Sequence, residues 1–469
     1  MDSRKIAEVA AVAPGRTPGE TPHRTWSVGT LTYTITGLVV LFCWLLWGDF
    51  AWALKDRAIP PIVQTLLNKF GASDMTAGLL FGSLPPALGL ILGPIVAFKS
   101  DRYRSRWGRR IPFLVVLTPI ALLGIVGMAF SPTLGVQLDK WLGPHSWGPD
   151  TCILVLLGLC WMFFEFATVL SNGLYTALIN DVVPLAVMGR FYGLFRALSL
   201  IAAMIFFHWG FEKAATGYVW IFLGMGALYG IGFLSMCLNV KEGEYPARLP
   251  MDAGRNLHGT FQAVKTYFQE CFGNTYYWWY FCATAVAGMA TGPVNLYSIF
   301  YATSVHMAPG TYGNCLTLTY AVSLILAWPL GWLADNVHPL RIGIVVLFLY
   351  ALVTLWGGIF ANDSQMFAIA LVAHGVVAGT WATAMASLGQ RMLPKAEFAQ
   401  FASAGGIIGS VAWITLAPVS GYFLDRLNHD YRYTFFMGFT LSVLGLIGFI
   451  IVHAKFMAQG GPKNYVAPE

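Results

Sequence analysis

Charged residues are scarce in this chain. Only 11% of its 469 residues are Asp, Glu, Lys or Arg, whereas 57% are hydrophobic, and the mean hydropathy is +0.63. A soluble globular protein carries about 25% charged and about 45 to 50% apolar residues. Because a water-soluble core of this size cannot hide so much apolar surface, the composition excludes a soluble globular protein and a disordered chain. It predicts an integral membrane protein.

Several chemical signatures are also missing. The seven cysteines are scattered, form no C-x-x-C pair and have no His-rich neighbour, so they are interpreted as packing residues and no metal site is predicted. The chain has no G-x-x-x-x-G-K-[ST] phosphate loop, no H-E-x-x-H pattern and no G-x-S-x-G elbow. We therefore predict neither an enzyme nor a cofactor, and an ion or solute gradient as the energy source.

Twelve apolar runs are long enough to cross a membrane, since a spanning helix needs about 20 predominantly apolar residues. The fold class predicted is all-α integral membrane, with twelve transmembrane helices. The runs are 31–54, 76–98, 111–131, 151–178, 189–211, 217–239, 276–301, 311–334, 342–361, 365–389, 399–424 and 433–454.

The distribution of Lys and Arg predicts the orientation. Of the 28, 20 fall on the side of the two termini, 7 on the opposite side and one, Arg196, inside a helix. The 7 include Lys55 and Arg57, assigned to an external loop. The positive-inside rule then places both termini in the cytoplasm, as expected for a cytoplasmic (inner or plasma) membrane. The net charge of +6 reflects this topology, and no nucleic-acid partner is predicted.

The two halves of the chain resemble each other. The sequence AFKSD ends the second run and GWLAD ends the eighth, and their aspartates, Asp101 and Asp335, are 234 residues apart. A second correspondence, at an offset of 210, joins Pro184 and Arg190 to Pro394 and Gln400. Duplicated six-helix units are how alternating access is built, because two similar bundles can rock about a central site.

The longest polar interruption, after residue 240, separates the halves. The predicted organisation is two six-helix bundles joined by a linker whose part from Leu257 to Phe272 has an amphipathic helical pattern. The segments are an N-terminal cytoplasmic tail (1–30), a first bundle (31–240), a cytoplasmic linker (241–275), a second bundle (276–455) and a C-terminal cytoplasmic tail (456–469).

A basic loop, SDRYRSRWGRRIPF, runs from Ser100 to Phe113. As a positive-inside anchor it would contact lipid phosphates. Its order, an acid at a helix end followed by a glycine turn and paired arginines, resembles the signature loop of the major facilitator superfamily. The segment Arg106 to Arg110 resembles more closely the loop of the glycoside-pentoside-hexuronide transporters and sucrose-proton symporters.

Two further matches support this resemblance. The sequence FAWAL at Phe50–Leu54, with Pro61 and Gln64 beyond it, is similar to the first helix of sucrose carriers. Glu165, followed by Gly173, Ala177-Leu178 and Asp181, is similar to their fourth. The resemblance implies the major facilitator fold and a cytoplasmic gate. The gate residues expected are Asp101, Arg102, Arg106, Gly108, Arg109, Arg110, Asp181, Arg190, Asp335 and Arg341.

The chain also departs from the family. The acid of the fourth helix is commonly Asp and here is Glu165, which keeps proton chemistry available. The segment carries Thr168-Val169 and Thr176 instead of the paired asparagines and the Arg typical of plant sucrose carriers. The resemblance therefore implies a sugar without assigning sucrose.

Charged residues inside the spans are candidates for proton coupling, because a charge at the bilayer centre costs on the order of 3 kcal/mol. Glu165 falls at the midplane of the fourth span, and Arg196 in the fifth differs from it in height by about 10 Å. Arg196 is predicted to switch the protonation of Glu165, with Asp49 as a further coupling residue. The alternatives are a static strut, or Arg196 serving Asp181 or Asn172.

The first span offers a candidate sugar site. Asp49, Trp52 and Asp56 fall at i, i+3 and i+7 and so share one helical face. A carboxylate accepts hydrogen bonds from sugar hydroxyls, while an indole offers an apolar platform to a pyranose. In the alternative, Trp52 belongs to an interfacial aromatic belt and the segment 55–57 is an external loop.

Other polar groups inside the spans could line a polyol cavity or bond a helix carbonyl. They are Asn172, Asn295, Tyr297, His374 and Trp381. Of these, His374 is notable because imidazole titrates near physiological pH, although a lone membrane histidine more often serves packing or hydrogen bonding.

The sequence as a whole predicts a secondary transporter that moves a sugar or glycoside, a mono- or disaccharide, together with a proton. Sodium is the alternative coupling ion. A membrane assembly factor for a pigment or protein complex is the alternative function, since fold alone does not fix activity. The partners expected are the small-molecule substrate and membrane lipids, with the chain as a monomer.

Overall fold

The computed structural model describes residues 25–244, 257–394 and 397–468, and they are nearly all helical. Most of the predicted N-terminal tail and part of the linker lie outside these ranges. Two short antiparallel strands, β1 (Trp26–Val28) and β2 (Leu31–Tyr33), precede the first helix. The described chain beyond them is built mainly from helices whose sides are apolar, as the composition requires of a protein solvated by lipid.

The helices follow in chain order, with π-helical turns at Gly78–Ser83 and Phe206–Gly210. The first half contains α1 (Ile35–Lys69), α2 (Asp74–Ala77), α3 (Leu84–Arg102), α4 (Ile111–Leu142), α5 (Pro149–Val182), α6 (Leu185–Ile205) and α7 (Phe211–Asn239). The rest contains α8 (Leu257–Phe272), α9 (Thr275–Met289), α10 (Gly292–Ser304), α11 (Pro309–Val337), α12 (Pro339–Phe360), α13 (Ser364–Met385), α14 (Leu388–Met392), α15 (Phe398–Arg426), α16 (Arg432–Ala458) and α17 (Gly461–Asn464).

Eleven segments of the described residues are long and apolar enough to cross a membrane, and α9 with α10 supplies a twelfth. The span predicted at 276–301 is present as two helices, because the helix breaks at Ala290 and Thr291. Pro293, at the start of α10, has no N–H with which to continue the hydrogen bonding of α9. The Tyr350 hydroxyl lies 3.5 Å from the carbonyl of Ala290, one of the groups that the break leaves free.

The first helix is longer than predicted. It runs to Lys69 and carries Pro60 and Pro61 within it, so the expected external loop at 55–57 is wrong. Three consecutive charged residues normally end an apolar run. Here Lys55 is buried among other helices, and α1 continues through the three charged residues at 55–57. Two of the seven basic residues assigned to the outer side thus belong inside the bundle.

The bundle has two ends, which we call the termini face, where α1 begins and α16 ends, and the far face, where α1 ends and α2 begins. Helices α1 and α3–α7 pack into one half, and α9–α16 pack into the other. The extensive contacts between the halves join α15 to α2 and α3, and α6 and α7 to α11. These contacts lie toward the far face.

Glycines permit this close approach. A Cβ added at Gly82 would overlap the Ala417 side chain, and one added at Gly421 would overlap the backbone of Asp74. Both π-helical turns, near Gly82 and Phe207, also lie at this contact. Such turns are rare and recur at functional sites. The far face is therefore closed by backbone packing that only small residues allow.

The turn between α11 and α12, at the termini face, contains a buried histidine. His338 has φ +81°, and its Nδ1 accepts a hydrogen bond from the backbone N–H of Leu340 (3.3 Å). Its ring stacks on Phe456 with centroids 4.7 Å apart. Burial, and then the positive charges of Arg391 and Arg341, lower the pKa of His338 to about 4. The folded protein therefore holds this imidazole neutral.

This gives a pH prediction. The unfolded chain binds a proton at His338 near pH 6.5, whereas the folded chain resists it until about pH 4. Stability should therefore fall as pH drops from 6.5 toward 4, by on the order of 3 kcal/mol at the lower end. His338→Asn keeps a helix-capping side chain that tolerates positive φ. Its melting temperature should fall less than that of the wild type over this pH range, and parallel curves would refute the assignment.

Candidate functional site

Three charged groups of the first half interact in the membrane-spanning region, and Glu165 is the central one. It is the seventeenth of the 34 residues of α5 and only 8% exposed. The charged groups that act on it are Lys55 and Asp56 of α1. The Lys55 ammonium donates a hydrogen bond to Thr168 Oγ1 (3.1 Å). An acid and a base thus share the middle of the bundle.

The expected pair of Glu165 and Arg196 does not form. Arg196 is exposed on α6, and the groups that act on it are Arg57 and Tyr320. Tyr320 belongs to α11 of the other half, and α6 contacts α11 where the halves meet. Arg196 therefore faces the second half. The alternative partner Asp181 is occupied elsewhere, at the termini face. Arg196 is therefore not placed to switch Glu165.

The predicted common face of Asp49, Trp52 and Asp56 is divided. Asp56 is exposed. Trp52 is buried inside the first half, where its ring centroid lies 5.9 Å from that of Tyr229 and 5.5 Å from that of Phe233. The sugar platform expected of Trp52 is thus wrong in this conformation, because α7 covers the indole. Neither the external loop nor the aromatic belt describes this segment either.

Asp49 is deeply buried. It is 1% exposed, and its Oδ2 has no hydrogen-bond partner among the described residues. The neighbouring phenol of Tyr175 donates instead to the carbonyl of Leu45 (2.7 Å). A carboxylate in such surroundings is costly unless it is protonated or reached by water. Asp49 is therefore a second buried acid in the first half.

The second half contributes a polar network at the break between α9 and α10. His374 is buried and joins two helices: its Nδ1 is 2.7 Å from the Tyr350 hydroxyl and its Nε2 is 3.0 Å from Asn295 Oδ1. Asn295 itself is exposed. Asn295 is thus a candidate that is accessible at the surface of the helices, and its contact with the buried His374 fixes the orientation of its amide.

The remaining polar candidates lie in different surroundings. Asn172 is exposed one turn beyond Thr168 on α5. Trp381 is half-buried and packs on Phe449 (5.2 Å). Tyr297 is fully buried, and its hydroxyl lies 3.0 Å from the carbonyl of Asp74 and 3.2 Å from that of Ala417. Because it fastens the halves together at the far face, its expected place in the cavity is wrong.

The predicted gate forms a charge cluster at the termini face, within the first half. Arg109 binds Asp181 (2.5 Å) and also Asp101 (3.7 Å). Arg110 bridges Asp101 (2.5 Å) and Asp181 (3.4 Å) and also bonds Ser100. Paired guanidinium and carboxylate groups of this kind fix loop geometry strongly. The arginines hold the end of α3 to the end of α5.

The sequence did not indicate Glu242, which completes this cluster. Its carboxylate accepts hydrogen bonds from the backbone N–H groups of Arg109 (2.9 Å), Arg110 (2.8 Å) and Ile111 (2.8 Å). It thereby caps the positive end of α4. Gly108 has φ +102°, and a Cβ there would collide with Glu242. Glu242 stands more than 130 residues away in sequence, so no local pattern could reveal it.

The other predicted gate residues lie outside the cluster. The guanidinium carbon of Arg102 lies 3.2 Å from the ring centroid of Phe98, and that of Arg106 lies 5.8 Å from the ring centroid of Trp107. Arg341 Nη2 lies 3.9 Å from the sulfur of Met457. Arg190 is exposed near the start of α6. The side chain of Asp335 lies outside what the structure describes. Among the described residues, the carboxylates that Arg109 and Arg110 bind, Asp101 and Asp181, belong to the first half.

Polar groups close the far face, and no sequence pattern indicated them. The Asp425 carboxylate of α15 accepts hydrogen bonds from the backbone N–H groups of Asp74 (2.8 Å) and Met75 (3.1 Å). Asp74 in turn binds His429 (2.7 Å) and Tyr431 (2.9 Å). Asp74, Asp425 and His429 offer ligand atoms within 4.8 Å of one another, but their oxygens already hold these bonds. The group fastens α2 to α15.

Known proteins resemble this chain in sequence over part of its length. A family model described as MFS/sugar transport protein matches residues 45–399. The chain is 29% identical over 188 residues to proton-associated sugar transporter A of Homo sapiens, covering 40% of the chain and 23% of that protein. It is 33% identical over 90 residues to sucrose transport protein SUT1 of Oryza sativa subsp. japonica, covering 19% and 16%. The chain thus spans less than a quarter of the length of these relatives.

Solved structures match over more of the chain. A D-xylose-proton symporter superposes with a TM-score of 0.63 at 11% identity, covering 88% of this chain and 97% of that one. The xylose transporter XylE from E. coli in an inward open conformation gives 0.63 at 13% identity, covering 88% and 96%. At these identities the likeness concerns the fold, and it confirms the predicted major facilitator architecture.

The far-face bonds yield a prediction. Asp425→Asn turns one of the two acceptors into a donor facing a backbone N–H, and bonds to charged groups are worth about 1.5 to 3 kcal/mol. The far face should then open more often. In a cysteine-free background, an introduced cysteine at Thr65, beside this closure, should react faster with an impermeant maleimide.

Asp363→Asn is the matched control for that experiment. Asp363 likewise accepts two backbone N–H bonds, from Gln365 (2.8 Å) and Met366 (2.9 Å), but within its own helix. It should leave the labelling rate unchanged. Equal rates in wild type and Asp425→Asn would show that Asp425 does not hold the far face shut.

Proposed function

The chain belongs to the MFS/sugar transport protein family, and from this membership we propose that it is a symporter of a sugar or glycoside, driven by protons through alternating access. The observation that carries the proposal is a buried acid, Glu165, at the middle of a multi-pass bundle whose halves meet extensively at one face. Buried ionisable residues at such depth commonly serve ion pathways.

Alternating access requires a bundle that opens on one side at a time. The halves are fastened at the far face by the bonds of Asp425, Tyr297 and Asp74, while the charge cluster at the termini face stays within the first half. With the termini in the cytoplasm, as the distribution of Lys and Arg predicts, this conformation is inward-open. The cytoplasmic membrane is the location that this orientation favours.

Glu165 is the proposed proton carrier. Lys55 and Asp56 act electrostatically on its carboxyl, so gaining or losing a proton changes the charge balance of these three groups. Asp49 is retained as a second proton site because it is buried without a hydrogen-bond partner on Oδ2. Arg196, which faces Arg57 and Tyr320, no longer takes part in this step.

The proposed sugar contacts are the exposed polar side chains of the membrane-spanning helices. Asp56 and Asn172 present them from the first half and Asn295 from the second. A carboxylate accepts bonds from sugar hydroxyls, and an amide both accepts and donates. His374 holds the oxygen of Asn295, so the amide N–H groups are left for a ligand. Contacts from both halves would let the sugar draw them together.

The relatives support a sugar and a proton without naming the sugar. Proton-associated sugar transporter A and sucrose transport protein carry these properties in their names, but each is aligned over less than a quarter of its length. The residues that depart from plant sucrose carriers, such as Thr168 and Thr176, argue against assigning sucrose itself. We propose a mono- or disaccharide as the class.

The direct test uses purified protein in liposomes loaded with a pH-sensitive dye. Addition of mono- and disaccharides, one at a time, should acidify the lumen only with the transported sugar, and an imposed proton gradient should drive its accumulation. Sugar uptake that follows a sodium gradient and ignores the proton gradient would overturn proton coupling. Co-purification of a protein or pigment with no uptake of any sugar would favour an assembly role.

A substitution tests the carrier. Glu165→Gln should abolish accumulation against a gradient, because an amide cannot exchange the proton, and should leave exchange of internal for external sugar within about twofold of wild type. Glu270→Gln is the matched control: Glu270 is exposed on α8 and bonds Gln400 (2.7 Å) outside the membrane-spanning helices. Intact accumulation in Glu165→Gln, with normal sugar binding, would remove Glu165 from the mechanism.

A further inference from the structure

Lys55 is an unusual residue for the middle of a membrane helix. It is 1% exposed and stands among the largest fully buried side chains of the described chain, whose other members are all aromatic. It lies near the middle of α1, with fourteen residues of that helix beyond it. A charged side chain at such depth is expensive and is usually retained for function.

The surroundings of the ammonium are aromatic. Nζ lies 4.0 Å from the ring centre of Trp52, 4.7 Å from that of Phe164 and 5.1 Å from that of Tyr229, and we call these three rings the ring cage. The Thr168 hydroxyl accepts a hydrogen bond from one of the three N–H groups of the Lys55 ammonium. Ring faces attract a cation without neutralising it. In the described part of the chain, Lys55 makes no ion pair with a carboxylate.

Glu165 is nevertheless within reach. It directly follows Phe164 of the ring cage and precedes Thr168 by three residues on α5. Side chains at i and i+3 are neighbours on a helix surface, with about 5 to 6 Å between their Cβ atoms. Rotation of the four-carbon lysine stem can therefore carry Nζ from the Thr168 hydroxyl to the Glu165 carboxyl without moving either helix.

The other titratable groups facing this position are few. Asp56 follows Lys55 on α1 and acts on it together with Glu165, and Tyr229 of α7 contributes its ring and phenol. Asp49 of the same helix acts on Tyr175, and the groups that act on Arg196 of α6 are Arg57 and Tyr320. Lys55 is thus the cation whose position can respond to a change in the charge of Glu165.

We propose that Lys55 is the mobile counter-ion of Glu165. When the Glu165 carboxyl gives its proton to water, the Lys55 ammonium moves to pair with the carboxylate. When Glu165 regains a proton, Lys55 returns to the ring cage and Thr168. The lysine keeps its own proton throughout, so this exchange moves one proton, on and off Glu165. This inference rests on the proposed proton coupling and replaces the role expected of Arg196.

The test is a double-mutant cycle in the full-length protein. Lys55→Met keeps the length and apolar stem but removes the charge, and Glu165→Gln removes the acid. Lys55→Met should lower the melting temperature of the wild type by more than twice the amount by which it lowers that of Glu165→Gln, because it strands a carboxylate only in the first case. Equal losses in both backgrounds would overturn the pairing. Lys69→Met, at the exposed end of α1, is the control.

A transport readout separates pairing from packing. In liposomes supplied with the transported sugar, Lys55→Met should lose accumulation but keep exchange, and Lys55→Arg should recover part of the accumulation. The pH profile of exchange should differ between wild type and Lys55→Met but coincide between Glu165→Gln and the double variant. Loss of exchange in both Lys55 variants, or exchange in Lys55→Met with the same pH profile as wild type, would mean that Lys55 only packs.

The two hypotheses fail differently. If no sugar drives proton entry, the proposed function is wrong, yet the thermal cycle still reports whether Lys55 and Glu165 interact. If transport is proton-driven and the thermal cycle is additive, proton symport stands and Lys55 has no part in it.

Discussion

The cost of placing charge inside a membrane governs this molecule. Four charged residues, Asp49, Lys55, Asp56 and Arg57, stand within nine positions of the first helix, and each meets that cost in its own way. Lys55 lies among aromatic rings, Asp56 is exposed and Arg57 turns to Tyr320 of the second half. Asp49 is buried without a partner on Oδ2. Through these side chains α1 contacts Thr168 of α5, Tyr229 of α7 and Tyr320 of α11.

The two faces of the bundle use different kinds of contact, and this difference gives the conformation its asymmetry. At the far face, small residues let α2 approach α15 closely enough for Asp425 to bind backbone N–H groups. At the termini face, Arg109, Arg110, Asp181 and Glu242 satisfy one another inside the first half. One face therefore joins the halves, while at the other the strong charges stay in one half.

The site was predictable in part, and the division has a physical reason. Glu165 is recognisable because a lone acid in a long apolar run has no local explanation, and Arg109, Arg110, Asp101 and Asp181 because short motifs fix their spacing. The sequence could not predict which basic residue acts on Glu165, since the rotation of each helix about its axis decides which side chains face each other. Arg196 and Lys55 are both basic residues near mid-depth. Only the packing of α6 toward α11, and of α1 toward α5, distinguishes them.

Composition and hydropathy alone determined that the chain spans a membrane in twelve segments as two related halves, because lipid imposes one requirement on every segment independently. Sequence also identified the basic loop and the acid of α5. Tertiary structure decided where α1 ends, that the seventh span is broken, and that Lys55 belongs to the interior. It also brought Glu242 to α4 and Asp425 to α2. These depend on contacts between residues far apart in the chain, and no local pattern carries that information.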